Sequence, residues 1–449
     1  MYLHRILAGL VSAILFIFLG CADARMEAPS RSAPPSDERT PLAATAPDPG
    51  TYDLPDISKR YIVTFKRTVT DGGKRTAIAA AGGTEKRLYR IIPAAAVELP
   101  SATAVEELRK HPDVLRVEPD GFVFASDFNW NPPMIPYIPY IPLSPTETIP
   151  WGLWRIRAPL AWEMTRGEGV RVAVLDTGGF NPMHMDFPLN YGGCVSFVDF
   201  GDKEDPEPCL DGHGHSTHVT GTIAARDNLV GVVGIAPEAE IWNAKVLSDG
   251  GFGLWSWIIA GLEWAAENDV RVVNMSLGGF FDSLDLHDAC DAAAEAGVII
   301  VAAAGNGGSF WGINFNTITY PGRYESVIAV AAIDSAGAHA SFSSTGEEMD
   351  FAAPGVDVLS TVPDGWEDGW NGTSMATPHV AGTVADMLAV NPTLSRECVY
   401  EILRLTASSP SSDYDQWNVS MGYGVVQAAA AVAVAANPAI YATICRDSD

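Results

Sequence analysis

Three short signatures carry groups that could act together on a carbonyl: D-T-G at Asp176 to Gly178, H-S-T-H at His215 to His218, and G-T-S-M-A-T-P at Gly372 to Pro378. They supply a carboxylate, an imidazole and a hydroxyl. A hydroxyl attacks poorly until a base takes its proton, and the base works best when a carboxylate fixes its tautomer. These residue types in one chain point to hydrolysis through a covalent intermediate.

Each signature lies where a rigid element would hold it. Val170 to Leu175 (V-R-V-A-V-L) reads as a buried parallel strand, so Asp176 falls at its carboxyl end, where open α/β sheets bind ligands. V-T-G-T-I-A-A reads as a helix that His215 opens. M-A-T-P-H-V-A-G-T-V-A-D-M-L-A reads as another, with Ser374 in its first turn, where unpaired N–H groups favour a developing oxyanion. Taken singly, an Asp at a strand end is a turn residue and a Ser at a helix start is a cap. Their joint occurrence reverses that reading. The histidines of D-G-H-G-H-S-T-H lack the four-residue spacing with intervening glutamate of zinc helices, which disfavours a zinc site.

From about Pro150 to about Ala436 the chain resembles the subtilisin-like serine proteases, with the proteinase K and thermitase branches nearest in pattern. V-V-N-M-S-L-G-G at Val272 to Gly279 resembles the strand that pairs with substrate. A-A-A-G-N at Ala302 to Asn306 resembles the strand bearing the oxyanion-hole amide, and G-Y-G-V-V-Q-A-A at Gly422 to Ala429 the closing turn and helix. The resemblance implies a three-layer α/β/α domain with a central, mostly parallel sheet. It gives Asp176, His215, Ser374 and Asn306 catalytic roles, and Ser276, Leu277, Gly278 and Gly305 the peptide backbone to bind. It also implies structural calcium, with Asp186 and Asn228 as ligands and Glu147 near the register of a third. His213 stands at the cleft rim, His218 is a hydrogen-bonded structural residue, and Ser216 replaces a usual Gly beside the base.

A second unit precedes the enzyme. Arg60 to Lys66, R-I-I-P-A-A-A-V-E-L-P and Val114 to Asp120 read as strands, and A-T-A-V-E-E-L-R-K as an amphipathic helix. Residues 57–126 resemble the inhibitory propeptide of the same family, a small α+β domain that blocks the cleft. The resemblance implies, from the family's spacing after V-E-P-D, a cut near Phe124 to Asp127, so G-F-V-F-A-S would be the first substrate. Sequence-tolerant cleavage of polypeptides with apolar preference is the expectation. A non-catalytic peptide-binding module and an acid peptidase on the same fold are the alternatives. The intact four residues, and His215 at the base position, disfavour them.

Charge fits that pairing. Residues 57–126 hold twelve Lys and Arg against eight Asp and Glu, whereas residues 127–449 hold twelve against forty. Opposite signs steer the two parts together. A chain of 449 residues with net charge −27 also excludes a generic nucleic-acid binder. The length suffices for a large core plus the leading domain, and a monomer is expected.

His4 and Arg5 precede an apolar run from Ile6 to Leu19, too short for a usual membrane span but suited to an export signal. Two endings compete: F-L-G-C resembles a lipobox that would lipidate Cys21, and A-D-A at Ala22 to Ala24 resembles an ordinary cleavage site. We favour the lipoprotein, extracellular or held at the cell envelope. Residues 21–56, rich in Pro, Ala, Ser and Thr, would form a flexible tether. The Pro-rich residues 127–149 read as an extension or a linker, residues 150–436 as the catalytic domain and residues 437–449 as a tail. Export permits disulfides. Cys194 with Cys209 and Cys398 with Cys445 are the expected pairs, leaving Cys290 as a buried thiol.

Overall fold

The computed structural model describes residues 56–126, 147–199, 208–308, 316–363, 365, 367–408 and 417–445. The signal, the Cys21 lipobox, nearly all of the tether and most of the Pro-rich segment lie outside the described residues.

The leading module is built from β1 (Arg60–Phe65), α1 (Asp71–Ala80), β2 (Thr84–Leu88), β3 (Ala94–Glu98), α2 (Ala102–Lys110) and β4 (Val114–Pro119). Its antiparallel sheet runs in the order β2-β3-β1-β4. Strand side chains alternate between faces, and the module uses both. Val63, Phe65, Ala95 and Val97 face its own helices around Ile78, Val105 and Leu108. Ile62, Ala94 and Ala96 join a larger core outside the module. The sequence reading lacked α1, whose D-G-G-K start carries two poor helix formers, and β2, whose T-E-K-R-L has no apolar alternation.

A short strand, β5 (Phe122–Ala125), leads out of the module. Beyond α3 (Trp151–Arg155) and α4 (Ala158–Ala161), the large domain winds through β6 (Arg171–Asp176), β7 (Asn190–Ser196), α5 (His215–Ala224), β8 (Glu240–Lys245) and β9 (Phe252–Leu254). It continues with α6 (Trp255–Glu267), β10 (Val272–Met275), β11 (Leu277–Gly278), α7 (Leu284–Glu295), β12 (Ile299–Ala303) and β13 (Val327–Ile333). The last elements are β14 (Phe351–Pro354), β15 (Val358–Thr361), β16 (Glu367–Trp370), α8 (Thr373–Val390), α9 (Arg396–Thr406), α10 (Ala428–Ala435) and α11 (Pro438–Ile444).

Seven strands form one parallel sheet, β14-β13-β12-β10-β6-β8-β7. The strands are continuous apolar runs because both faces are covered: α5 and α8 pack on one, α6 and α7 on the other. The winding reverses at β6 and β10, and ligands of such sheets bind outside the carboxyl ends of the strands at that point. Asp176 ends β6 and Ser276 follows β10. The expected three-layer α/β/α fold is the observed one. The segment read as a C-terminal tail, residues 437–449, begins with α11, docked by its buried Ile440 and Ile444 and pinned by the Cys398–Cys445 disulfide.

Candidate active site

Asp176 is fully buried at the end of β6. Its Oδ1 accepts the Thr177 N–H at 2.7 Å and lies 2.7 Å from His215 Nδ1, so the ring presents Nε2 to the cleft. The two signatures are tied by a residue the sequence reading left out, Asp211. Its carboxylate accepts from the Thr177 hydroxyl (2.8 Å), from the backbone of His213, Gly214 and Thr217, and from the Thr217 hydroxyl. Burial would raise its pKa, but the donors led by Gly214 N–H and the Thr217 hydroxyl hold it below the usual range. Thr177 Oγ1 in turn accepts the Ser216 N–H at 3.0 Å. The first Asp of D-G-H-G-H-S-T-H was the available signal: an acid ahead of a helix start is a ready acceptor for its free N–H groups.

The neighbours of the base divide clearly. His218 Nε2 lies 3.0 and 3.2 Å from the Val358 and Asp368 carbonyls, and its ring stacks on Trp370. Burial pushes it down to about 3, so it stays neutral and structural, as expected. Ser216 is buried, and its hydroxyl accepts from Asn243 Nδ2 at 3.4 Å. His213, expected on the cleft rim, is only 8% exposed: it packs under Gly251, with its ring centroid 6.1 Å from that of His215. The glycine leaves the room that the imidazole needs.

Ser374 lies in the first turn of α8, its hydroxyl donating to the Ser276 carbonyl at 2.9 Å. Ser276 Oγ donates back to the Ser374 carbonyl at 2.8 Å. Asn306 Oδ1 accepts both the N–H and the hydroxyl of Thr373 at 3.0 Å, which fixes the direction of its Nδ2. Thr373 Oγ1 also accepts the Gly305 N–H at 3.1 Å. Nothing in the motif alone singles out Thr373, because its contacts are with residues nearly seventy positions away.

The cleft is filled by the chain's own residues 122–126. β5 lies between β11 and β9, antiparallel to both, pairing Ala125 with Leu277, Phe124 with Gly278 and Val123 with Gly253. Ser126 N–H donates to the Ser276 carbonyl at 3.2 Å. The Ser126 carbonyl oxygen accepts from Asn306 Nδ2 at 2.7 Å and from the Ser374 backbone N–H at 3.2 Å. Two donors thus converge on one carbonyl beside a helix-borne serine, an arrangement suited to a tetrahedral oxyanion.

Away from the cleft, Asp186 is buried, with Oδ2 accepting the Val232 N–H at 3.0 Å and Oδ1 the Asn228 amide at 3.2 Å. Glu147 Oε1 accepts the Asn228 N–H at 2.8 Å. Burial, then the charges of Glu367 and Glu147, push Asp186 up to about 7. The sequence-derived ligand candidates are therefore neighbours. Among the described residues no group of three or more His, Cys, Asp or Glu forms a metal cluster. Cys194–Cys209 and Cys398–Cys445 are disulfides, and Cys290 is a buried free thiol that burial makes hard to ionise.

The family model described as "Subtilase family" matches residues 167–424. Subtilisin E of Bacillus subtilis (strain 168) is 41% identical over 354 residues, covering 78% of this chain and 85% of that protein. Subtilisin DY of Bacillus licheniformis is 46% identical over 264 residues, 59% and 93% of the two chains. An intracellular serine protease of Paenibacillus polymyxa is 45% identical over 252 residues, 56% and 76% of the two.

Proposed function

This chain belongs to the subtilase family and is a serine-type endopeptidase, and we propose that it is made as a precursor that cuts itself at the Ser126–Asp127 bond. The observation that carries this reading is the Ser126 carbonyl held between Asn306 Nδ2 and the Ser374 N–H. In the proposed reaction Ser374 Oγ bonds to the Ser126 carbonyl carbon while its proton passes to His215 Nε2. Asp176, on Nδ1, stabilises the imidazolium. Charge gathers on the carbonyl oxygen, where the two donors hold it. The C–N bond to Asp127 then breaks, His215 protonates the departing amine, and water releases the acyl-enzyme by the reverse proton route.

After the cut, residues 57–126 would remain as inhibitor, because cleft and helix face both hold them. Glu263 of α6 accepts the N–H groups of Arg90 and Ile91. Asp120 accepts the N–H and hydroxyl of Ser256, capping α6, and Tyr89 donates to the Ser256 carbonyl at 2.8 Å. Arg116 pairs with Asp285 and Asp288 of α7, and Arg60 with Asp199. Substrates would be polypeptides taken as an added strand, which uses backbone hydrogen bonds and so tolerates many sequences.

A structural calcium ion is proposed at Asp186 and Glu147, whose carboxylate oxygens suit a hard cation, with Asn228 turning its amide, whose nitrogen faces Asp186 and whose oxygen accepts the Val230 N–H, to offer its oxygen. Bound there, it would neutralise Asp186 and its acidic neighbours; chelation should lower the thermal midpoint, and an unchanged midpoint would remove the ion from the proposal. Export is proposed from the apolar Ile6–Leu19 run, with Cys21 lipidation checked by its mass. No helix among the described residues is long and apolar enough to cross a membrane.

The test of the main reading is the intact mass of the exported precursor with time, for wild type and Ser374→Ala. Loss of the segment ending at Ser126 in wild type alone supports it. Two full-length proteins, with calcium and at several pH values, would overturn it.

A further inference from the structure

The self-cut just proposed shows more than where the chain is held, because Ser126 occupies the position whose side chain enters the pocket beside the scissile bond. Two glycines lie beside it and serve here as its walls: Gly278, which pairs with Phe124, and Gly305, next to the Asn306 that holds the Ser126 carbonyl. Neither faces open space. A Cβ built on Gly278 would run into the Oγ1 and Cβ of Thr319, with Ser126 Oγ 3.4 Å away. One built on Gly305 would lie 2.8 Å from Thr319 Oγ1 and 2.9 Å from its Cγ2. The Thr319 side chain therefore stands between the two walls, on the same side of Gly278 as the Ser126 hydroxyl.

Thr319 cannot readily withdraw. Its N–H donates to the Ala304 carbonyl at 2.9 Å and its hydroxyl reaches the same oxygen at 3.4 Å. The next residue, Tyr320, exchanges two hydrogen bonds with Gly279, at 2.8 and 2.9 Å. Backbone bonds thus stitch this position to both pocket walls, and a β-branched side chain has few rotamers in which to move aside. It is 7% exposed.

Resting on the proteolytic reading, we propose that Thr319 is a specificity-determining residue that restricts the position before the scissile bond to small side chains. The substrate class is a polypeptide with Ser, Ala or Gly there and bulky apolar residues upstream. The upstream part follows from the same strand. Val123, three residues before Ser126, is fully buried near Trp255 and Gly279, and Phe122 packs edge-on against Phe252 at 6.1 Å. Adding methylenes to a filled pocket forces side chains and backbone apart, so a long side chain at the Ser126 position is rejected rather than merely less favoured.

The experiment follows self-cutting of the full-length precursor in which Ser126→Phe is combined with Thr319→Gly. In the wild-type background Ser126→Phe should slow cutting on the order of 100-fold, in line with discrimination worth roughly 10- to 200-fold per methylene-sized misfit. In the Thr319→Gly background the same substitution should slow it under about tenfold. Thr319→Ala is the second background should the glycine variant lose its thermal transition, and should give an intermediate ratio. Peptides of sequence F-V-F-A-X-D-F-N, with X as Ser, Ala, Leu or Phe and cut after X, should show the same order in kcat/KM. Equal cutting of the Ser126→Phe precursor, or an equal penalty in both backgrounds, would overturn the assignment. A wild-type precursor that never shortens would count against self-proteolysis instead, and is told apart because it needs no comparison of side chains.

Discussion

The leading module meets the enzyme at two places built on opposite principles. At the cleft, residues 122–126 are held by backbone bonds to β9 and β11, with side chains mattering chiefly at Val123 and Ser126. On the helix face the contact belongs to side chains: Arg116 with Asp285 and Asp288, Arg90 with Glu267, Asp120 capping α6, and Ile62, Ala94 and Ala96 in a shared apolar core. A protease cleft must accept other chains, so generic backbone pairing suits it. The helix face need recognise one partner only, and charge with shape gives that specificity.

Substitutions should therefore separate turnover from retention. The largest effect is expected for Ser374→Ala, which should lower turnover on the order of a million-fold and leave the precursor at full length, read as intact mass. Asn306→Ala removes one oxyanion donor and should cost roughly 100- to 1000-fold in kcat with little change in KM, measured on F-V-F-A-S-D-F-N peptides cut after the serine. Arg116→Ala acts on the other contact. It leaves Asp285 buried without its cation and should weaken retention of the cut module by about 2 kcal/mol, seen as earlier onset of activity, with kcat of the freed enzyme unchanged.

The smallest effect is a pH dependence. Burial first, and then the Asp285 charge, raise Glu118, which also accepts from Ser283 at the start of α7. A carboxyl raised in the complex favours the complex at pH below its free value, and that contribution is lost as pH rises through the raised value. Release should thus quicken a few-fold just above the ordinary carboxylate range. Glu118→Gln should flatten the profile just above the ordinary carboxylate range in time courses of activity onset. A profile of unchanged slope would remove Glu118 from the contact's proton balance.

Much of the site could be read from the chain because its parts are local. Asp176 sits at the end of a β-branched run, and His215 and Ser374 open helices, so period and position located them. Thr373 and Thr319 escape a reading of segments because each acts by side-chain contacts with residues far away in sequence, whereas Asp211 is legible as an acid ahead of a helix start. β5 falls between the two: G-F-V-F-A-S reads as a tail laid in the cleft as an added strand at Leu277 and Gly278, whereas its second edge, β9, shows only in the fold.

By itself, then, the sequence determined the chemistry, the parallel sheet and the order of module and enzyme, since residue type, periodicity and opposite charge are properties of segments. Tertiary structure alone decided which carbonyl lies in the oxyanion donors, how shallow the adjoining pocket is, and which carboxylates find partners. Asp386 marks that limit. It falls within an apolar helical run, yet it is fully buried in α8 with neither oxygen hydrogen-bonded among the described residues, and burial raises its pKa well above the usual range. Periodicity gives the face on which a residue lies, but partners and solvation depend on what the rest of the fold brings against that face.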